Sequence, residues 1–240
     1  MLTIQEQANL LEKYKELKSH IKMPEQKRIQ NFTELIGKFK QFHVDNENIA
    51  RNYAYEFNIF EVLRVSTDEV RHSAFLLELL DPQGAHGQGI LFLRTFLEKC
   101  AERSSGIDIY NQILNVIDEG KWTVMRERST NNFGRMDVVI MNPIIGIVVV
   151  IENKIYAHEQ VDQLKNYGNW MKSLEKDYPY RGLILLSPSG YQSMSAGGYQ
   201  CLQLSYRRDI TDWLFKVLSQ TQAPVVRSTI EQYLNITTML

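Results

Sequence analysis

Apolar positions change their spacing along the chain. Over residues 1–60 they recur at helical intervals: Ile4, Leu11, Tyr14, Leu17 and Ile21, then, past Pro24, Phe32, Leu35, Ile36, Phe39 and Phe42. A third group holds Tyr53, Phe57, Ile59, Phe60 and Leu63. The spacing predicts a helical hairpin or arm. Ser66-Thr67-Asp68-Glu69 then opens a helix that runs to Leu80 and stops before Pro82. Val70, Ala74, Leu77 and the Leu79-Leu80 pair supply its expected core face. The glycine-rich turn 84–89 leads into a helix over 90–101, and 113–117 fits a short helix or a strand.

From Trp122 onward the pattern tightens. Residues 122–128 alternate and predict a first strand. Two runs rich in Val and Ile, 138–141 and 147–151, are too short for helices and flank Asn142-Pro143-Ile144-Ile145-Gly146. They predict a hairpin. Pairing Asn142 with Ile147 leaves the loop 143–146, an ordinary hairpin length. It also sets Met141 opposite Val148, Val139 opposite Val150, and Asp137 opposite Glu152. The unbroken apolar run before Glu152 marks a strand covered on both faces. A helix is expected over 157–174, with Val161, Leu164, Gly168 and Met171 inward and Gln160, Gln163 and Tyr167 on a neighbouring face. Strands at 183–186 and 201–204 follow, then a helix over 206–218. A last helix begins at 230 and meets the chain end, as in a truncated chain.

Composition narrows the field. The chain has 240 residues, 44% hydrophobic and 23% charged, which fits a globular domain with an appendage. No apolar run approaches the roughly 20 residues needed to span a bilayer. No positively charged, apolar leader is visible at the start, and Cys100 and Cys201 have no metal-ligand spacing. A cytoplasmic location is expected. A net charge of −1 speaks against a protein that coats nucleic acid, yet allows a local basic groove. Lys121, Arg126, Arg128 and Arg135 form such a patch, or a solvated strand edge.

The hairpin carries the candidate chemistry. Residues directly opposite one another have Cβ atoms about 4.5–5.5 Å apart, so the Asp137 and Glu152 carboxylates repel unless a positive charge joins them. Lys154 lies two residues past Glu152 and points to the same side. Two acids and a lysine suit a divalent cation such as Mg²⁺, which is usually held by one or two carboxylates plus waters and phosphate. The lysine could orient water or stabilise charge on the phosphate. A surface salt bridge on a hairpin is the plainer alternative.

Asp137 followed by Glu152-Asn153-Lys154 resembles the PD-(D/E)XK nuclease superfamily, with Met136 where the family's proline stands. Asn58 through Leu63, Glu69-Val70-Arg71-His72-Ser73, Leu79 through Pro82 and His86-Gly87 resemble the N-terminal signature of an uncharacterised bacterial branch. Gln160-x-x-Gln163-Leu164-x-x-Tyr167 is also similar to that superfamily. The resemblance implies an α/β, restriction-endonuclease-like αβββαβ core, a mixed central sheet flanked by helices, over 58–220. A helical extension, 1–57, precedes it and a helical segment, 221–240, follows. It implies a Mg²⁺- or Mn²⁺-dependent nuclease acting on DNA, with Asp137, Glu152 and Glu69 at the metal and Lys154 and Gln163 in the catalytic set. His72, Arg135 and Tyr167 would face phosphate. Other readings stand beside it. Ser66 and Glu69 also fit a capping box. His72 could serve a local network. The whole domain could be an inactive binding module, or a helical interaction protein with structural hairpin charges. The N-terminal helices could form a homodimer interface or a wall facing substrate.

Overall fold

A computed structural model describes residues 4–20, 25–54, 56–106, 108–130 and 132–240. The expected break at Pro24, together with Ile21 and Asn131, lies outside the described residues. The chain divides into two compact units, 1–57 and Asn58–Leu240. The first holds α1 (Ile4–His20) and α2 (Glu25–Tyr53). The helical spacing is realised, but its apolar stripe, including Phe32, Leu35, Phe39 and Phe42, is exposed.

The second unit opens with α3 (Ile59–Val62), α4 (Glu69–Leu80), α5 (Leu91–Arg103) and α6 (Ile109–Leu114). The strands β1 (Thr123–Thr130), β2 (Gly134–Asn142) and β3 (Ile147–Asn153) follow. Then come α7 (Gln163–Ser173), β4 (Tyr180–Ser187) and β5 (Leu202–Ser205). A π turn (Tyr206–Ile210), α8 (Thr211–Leu218) and α9 (Pro224–Met239) close the unit. The sheet runs in the order β1-β2-β3-β4-β5, antiparallel across the first three strands and parallel thereafter. This is the mixed sheet with flanking helices of the restriction-endonuclease-like fold. Among the described residues no helix is long and apolar enough to cross a membrane.

The hairpin register is the expected one: Asn142 pairs with Ile147, Met141 with Val148 and Val139 with Val150. Gly146 closes the turn with φ +79°, where a Cβ would also press on the Asp177 carbonyl, so glycine is needed. Every residue of β3 is buried. Val149 and Ile151 face the core under α4, α5, α8 and α9, while Val148 and Val150 face α7. The strand therefore reads as one apolar run because both its faces are covered.

Several expectations are corrected. The helix expected from residue 157 starts only at Gln163, because Asp162 sits at φ +56°, which a right-handed helix cannot include. Val161, expected in the core, is 91% exposed. The capping box fails as well: Asp68 is the N-cap of α4 and accepts the Arg71 N–H at 3.1 Å. The buried face of α4 is His72, Ser73, Leu76, Leu79 and Leu80, and Val70 is exposed. Residues 113–117 belong to neither a strand nor a full helix, since α6 ends at Leu114. The helix expected from 206 begins as a π turn, where the Asp209 carboxylate accepts the Ser205 N–H at 2.8 Å. The last helix starts at Pro224, not 230; proline suits a first turn because its missing N–H is not needed there. Segment 221–240 packs within the second unit through Ile230, Tyr233, Leu234 and Ile236.

Candidate active site

The ends of β2 and β3 bring the acids together. The ladder stops at Val138–Ile151, one step before Asp137 and Glu152, so the strand ends splay there. Asp137 Oδ2 accepts the Asn153 N–H at 2.8 Å. Glu152 is 1% exposed; its Oε1 accepts from Lys154 Nζ at 2.7 Å and from Gln163 Nε2 at 2.6 Å. Glu69 reaches the same place from α4, and its Oε2 accepts the Ile155 N–H at 2.7 Å. Each of the three carboxylates thus has one oxygen fixed by a protein donor. Glu152 Oε2 is buried with no hydrogen-bond partner.

The charges act on one another. Burial raises the Asp137 carboxyl above its ordinary value, against the pull of the Asn153 N–H and the Lys154 charge. Glu152 is pushed up to about 7, first by burial and then by the Asp137 charge. Burial works to lower Lys154, but the Glu152 charge and hydrogen bond, helped by Asp137 and Glu69, hold it above the ordinary lysine value. The site sets three carboxylates, one of them the buried Glu152, against one lysine.

Two hollows meet there. One, of about 220 Å³, is lined by Arg135, Asp137, Glu152, Lys154, Gln163 and Tyr167 among others. The other, of about 150 Å³, adds Glu69, Arg126 and Glu127 around the same Asp137 and Lys154. Arg126 and Arg135 are exposed at its mouth. Glu127 stands opposite Asp137 in the β1–β2 register but leaves the ladder at φ +50°. Arg128 is not brought to the site: it lies over the Trp170 ring at 5.1 Å. Lys121 lines neither hollow.

Tyr167 lines the larger hollow with its hydroxyl engaged, whereas His72 lines neither hollow. Tyr167 is buried and donates its hydroxyl to the Arg135 carbonyl at 2.6 Å, while Gln163 Nε2 donates to it at 3.1 Å. His72 is fully buried, with Nδ1 2.6 Å from the Tyr233 hydroxyl and Nε2 3.3 Å from the Ser66 carbonyl. Both ring nitrogens have protein partners, as the local-network alternative expects. Burial also lowers the His72 pKa, which favours the neutral ring.

Sequence reasoning gave Asn153 no role, although it sits between Glu152 and Lys154. Alternation turns its side chain to the opposite face of β3. There Nδ2 donates to Ser73 Oγ at 3.0 Å and to the Glu69 carbonyl at 3.2 Å, and Oδ1 accepts from Tyr206 at 3.0 Å. It locks α4, and with it Glu69, onto the strand. A polar residue inside an otherwise apolar strand was the available signal. Asn153→Ala is expected to cost about 1–3 kcal/mol for each buried group left unpaired, read as a lower melting temperature.

The donor set fits a divalent cation. A buried, partnerless carboxylate oxygen beside a second carboxylate is a hard-oxygen site with a missing positive charge. Among the described residues no group of three His, Cys, Asp or Glu side chains is placed to hold a metal ion. Mg²⁺ does not ask for one, since it keeps several waters.

An acidic pair and a lysine thus stand together at the splayed end of the central hairpin of a mixed α/β sheet. Residues 57–235 match the family profile of the PD-(D/E)XK nuclease superfamily, and the chain belongs to that superfamily. It is also similar to a solved structure, the crystal structure of a repair endonuclease from Pyrococcus abyssi. That match has 24% identity and a TM-score of 0.25, and it covers 42% of this chain and 47% of that one. The chain thus spans about half the length of that protein. No curated protein matches it.

Proposed function

We propose that the protein hydrolyses phosphodiester bonds in nucleic acid, DNA first, with Mg²⁺ or Mn²⁺ held by Asp137 and Glu152 and assisted by Glu69. The buried, unpaired Glu152 Oε2 supports this most strongly. Burying such an oxygen without a partner is costly, and a cation would remove that cost. The bound ion supplies Lewis acidity and lowers the pKa of water. Lys154 keeps protons to spare beyond its bond to Glu152 and can hold an attacking water or the charge developing on phosphate. Gln163 fixes the Glu152 carboxylate and is a positioning residue. Arg126 and Arg135 offer phosphate contacts at the mouth.

The test is cleavage of single- and double-stranded DNA and RNA with Mg²⁺, Mn²⁺ or EDTA. Cutting with either metal and none in EDTA is expected. A folded protein that cuts nothing would point to the non-catalytic binding module instead.

For the first unit we propose self-association through the exposed stripe of α2. Phe32→Glu with Phe39→Glu is expected to convert a dimer into a monomer by light scattering, with the melting of the second unit unchanged.

A further inference from the structure

We propose that the hollow beyond Lys154 is a pocket for an unpaired nucleobase next to the scissile phosphate, so that the preferred substrate is a single-stranded or frayed nucleic acid. This rests on the nuclease reading and adds the substrate class. The pocket, about 670 Å³, is walled by the 155–162 segment and the loop after β4. It shares Lys154, Gln160 and Val161 with the acidic hollow, so the two adjoin.

Its lining is unlike that of a phosphate groove. The cationic candidates are Lys154 and His158, and they stand beside the acids Glu159 and Asp162. A duplex held by its backbone needs a row of donors and positive charges instead. What the pocket does offer is Tyr156, Tyr191, Val161 and Met194. Tyr156 is 63% exposed and Met194 96%, in contrast to the fully covered strands beside them. Aromatic faces next to a phosphate site suit base stacking, which tolerates any sequence because every base has a π-face. Arg126 and Arg135 open on the smaller hollow around Glu69 and Asp137. The site therefore has a phosphate side and a base side, joined at Lys154.

The pocket is preformed. Glu159 accepts from Ser193 Oγ at 2.7 Å, from the Met194 N–H at 3.3 Å and from the Ser195 N–H at 3.2 Å, and also bonds Ser195 Oγ. The Ser195 carbonyl accepts the Lys165 N–H at 2.9 Å. Both walls are thereby tied to each other and to α7. A base inside a duplex is paired and stacked, and entering the pocket would require flipping it at a cost of a few kcal/mol.

Fluorescence anisotropy tests this without turnover. A labelled single strand, the blunt duplex of the same sequence, and single strands with one abasic position scanned along them are titrated with the full chain in EDTA. The proposal expects the single strand to bind roughly tenfold or more tightly than the duplex, and one abasic position to lose about that factor. Tyr156→Ala with Tyr191→Ala should cause the same loss and make it insensitive to the abasic position, while Tyr156→Phe with Tyr191→Phe keeps wild-type affinity. Melting curves confirm that the variants fold. Duplex binding as tight as single-strand binding, or a tyrosine pair that can be removed without effect, overturns the pocket even if the duplex is cut with Mn²⁺. Tight, tyrosine-dependent single-strand binding without any cutting upholds the pocket and removes the nuclease reading.

Discussion

Glu152→Gln is expected to abolish cutting and yet to raise the melting temperature at pH 8 without metal. Glu152 is raised to about 7 in the folded protein from an ordinary carboxyl value of 4.5. The folded state therefore binds its proton more tightly than the unfolded state. Between those values the native protein holds more protons than the unfolded chain, so stability falls as pH rises through the window. Over the full window the penalty reaches about 3 kcal/mol, at 1.36 kcal/mol per unit. Glutamine removes the charge and keeps the shape, while its carbonyl can still accept from Lys154. Part of the gain is lost because Lys154 gives up an ionic partner. A rise of several degrees remains, at roughly 2–4 °C per kcal/mol for a chain of this size. Wild type should lose stability between about pH 4.5 and 7 relative to Glu152→Gln. Mn²⁺ at pH 8 should restore it in wild type and not in the variant. Activity should fall by more than the roughly 10- to 100-fold typical of losing an outer partner of a metal ligand. Parallel melting curves of the two proteins across pH, with and without Mn²⁺, check the stability arm. A variant that melts below wild type at pH 8 would show that the buried charge stabilises the apo fold.

Most of this was legible because the hairpin states its own register. The runs are apolar on both faces, so the four-residue loop closed by Gly146 is what sets Asn142 against Ile147, and that register keeps Val139, Met141, Val148 and Val150 on one face. Asp137 and Glu152 follow from that pairing. The resemblance added Glu69, Gln163 and Tyr167, which periodicity could not connect to a strand far away in sequence. The misreadings share a cause. The 155–162 segment has helical composition, but Glu159 is claimed by a serine loop some 35 residues later and Asp162 turns left-handed, so tertiary bonds override propensity. For Glu69, whose partner, the Ile155 N–H, is 86 residues away, spacing left a capping box open and only the resemblance pointed to the site. His72 looked polar and available, whereas its partner Tyr233 lies in the last helix. Long-range hydrogen bonds of this kind leave no local pattern.

Lys154→Ala is expected to cut the chemical step by about 10²–10³, the usual cost of removing a group that stabilises charge formed only in the transition state. The fold should persist, because Ile151 and Val150 supply the packing of β3 and Lys154 lies just beyond the strand. The structure adds a second consequence. Lys154 lowers the Glu152 pKa by its charge and its hydrogen bond. Without it Glu152 should titrate higher still, so the acid side of the rate profile should move to higher pH. Metal binding at neutral pH should weaken and recover as pH rises. Lys154→Arg should rescue poorly, since its planar fork would have to replace a compact ammonium 2.7 Å from Glu152 Oε1 inside a tight hollow. Single-turnover cleavage from pH 6 to 9, with protein in excess over labelled DNA, separates these effects. A loss that disappears at high pH would assign lysine only to tuning Glu152. A loss that persists at every pH, with metal-linked stabilisation recovered, assigns it to the chemical step. Cutting at the wild-type rate throughout would remove Lys154 from the reaction.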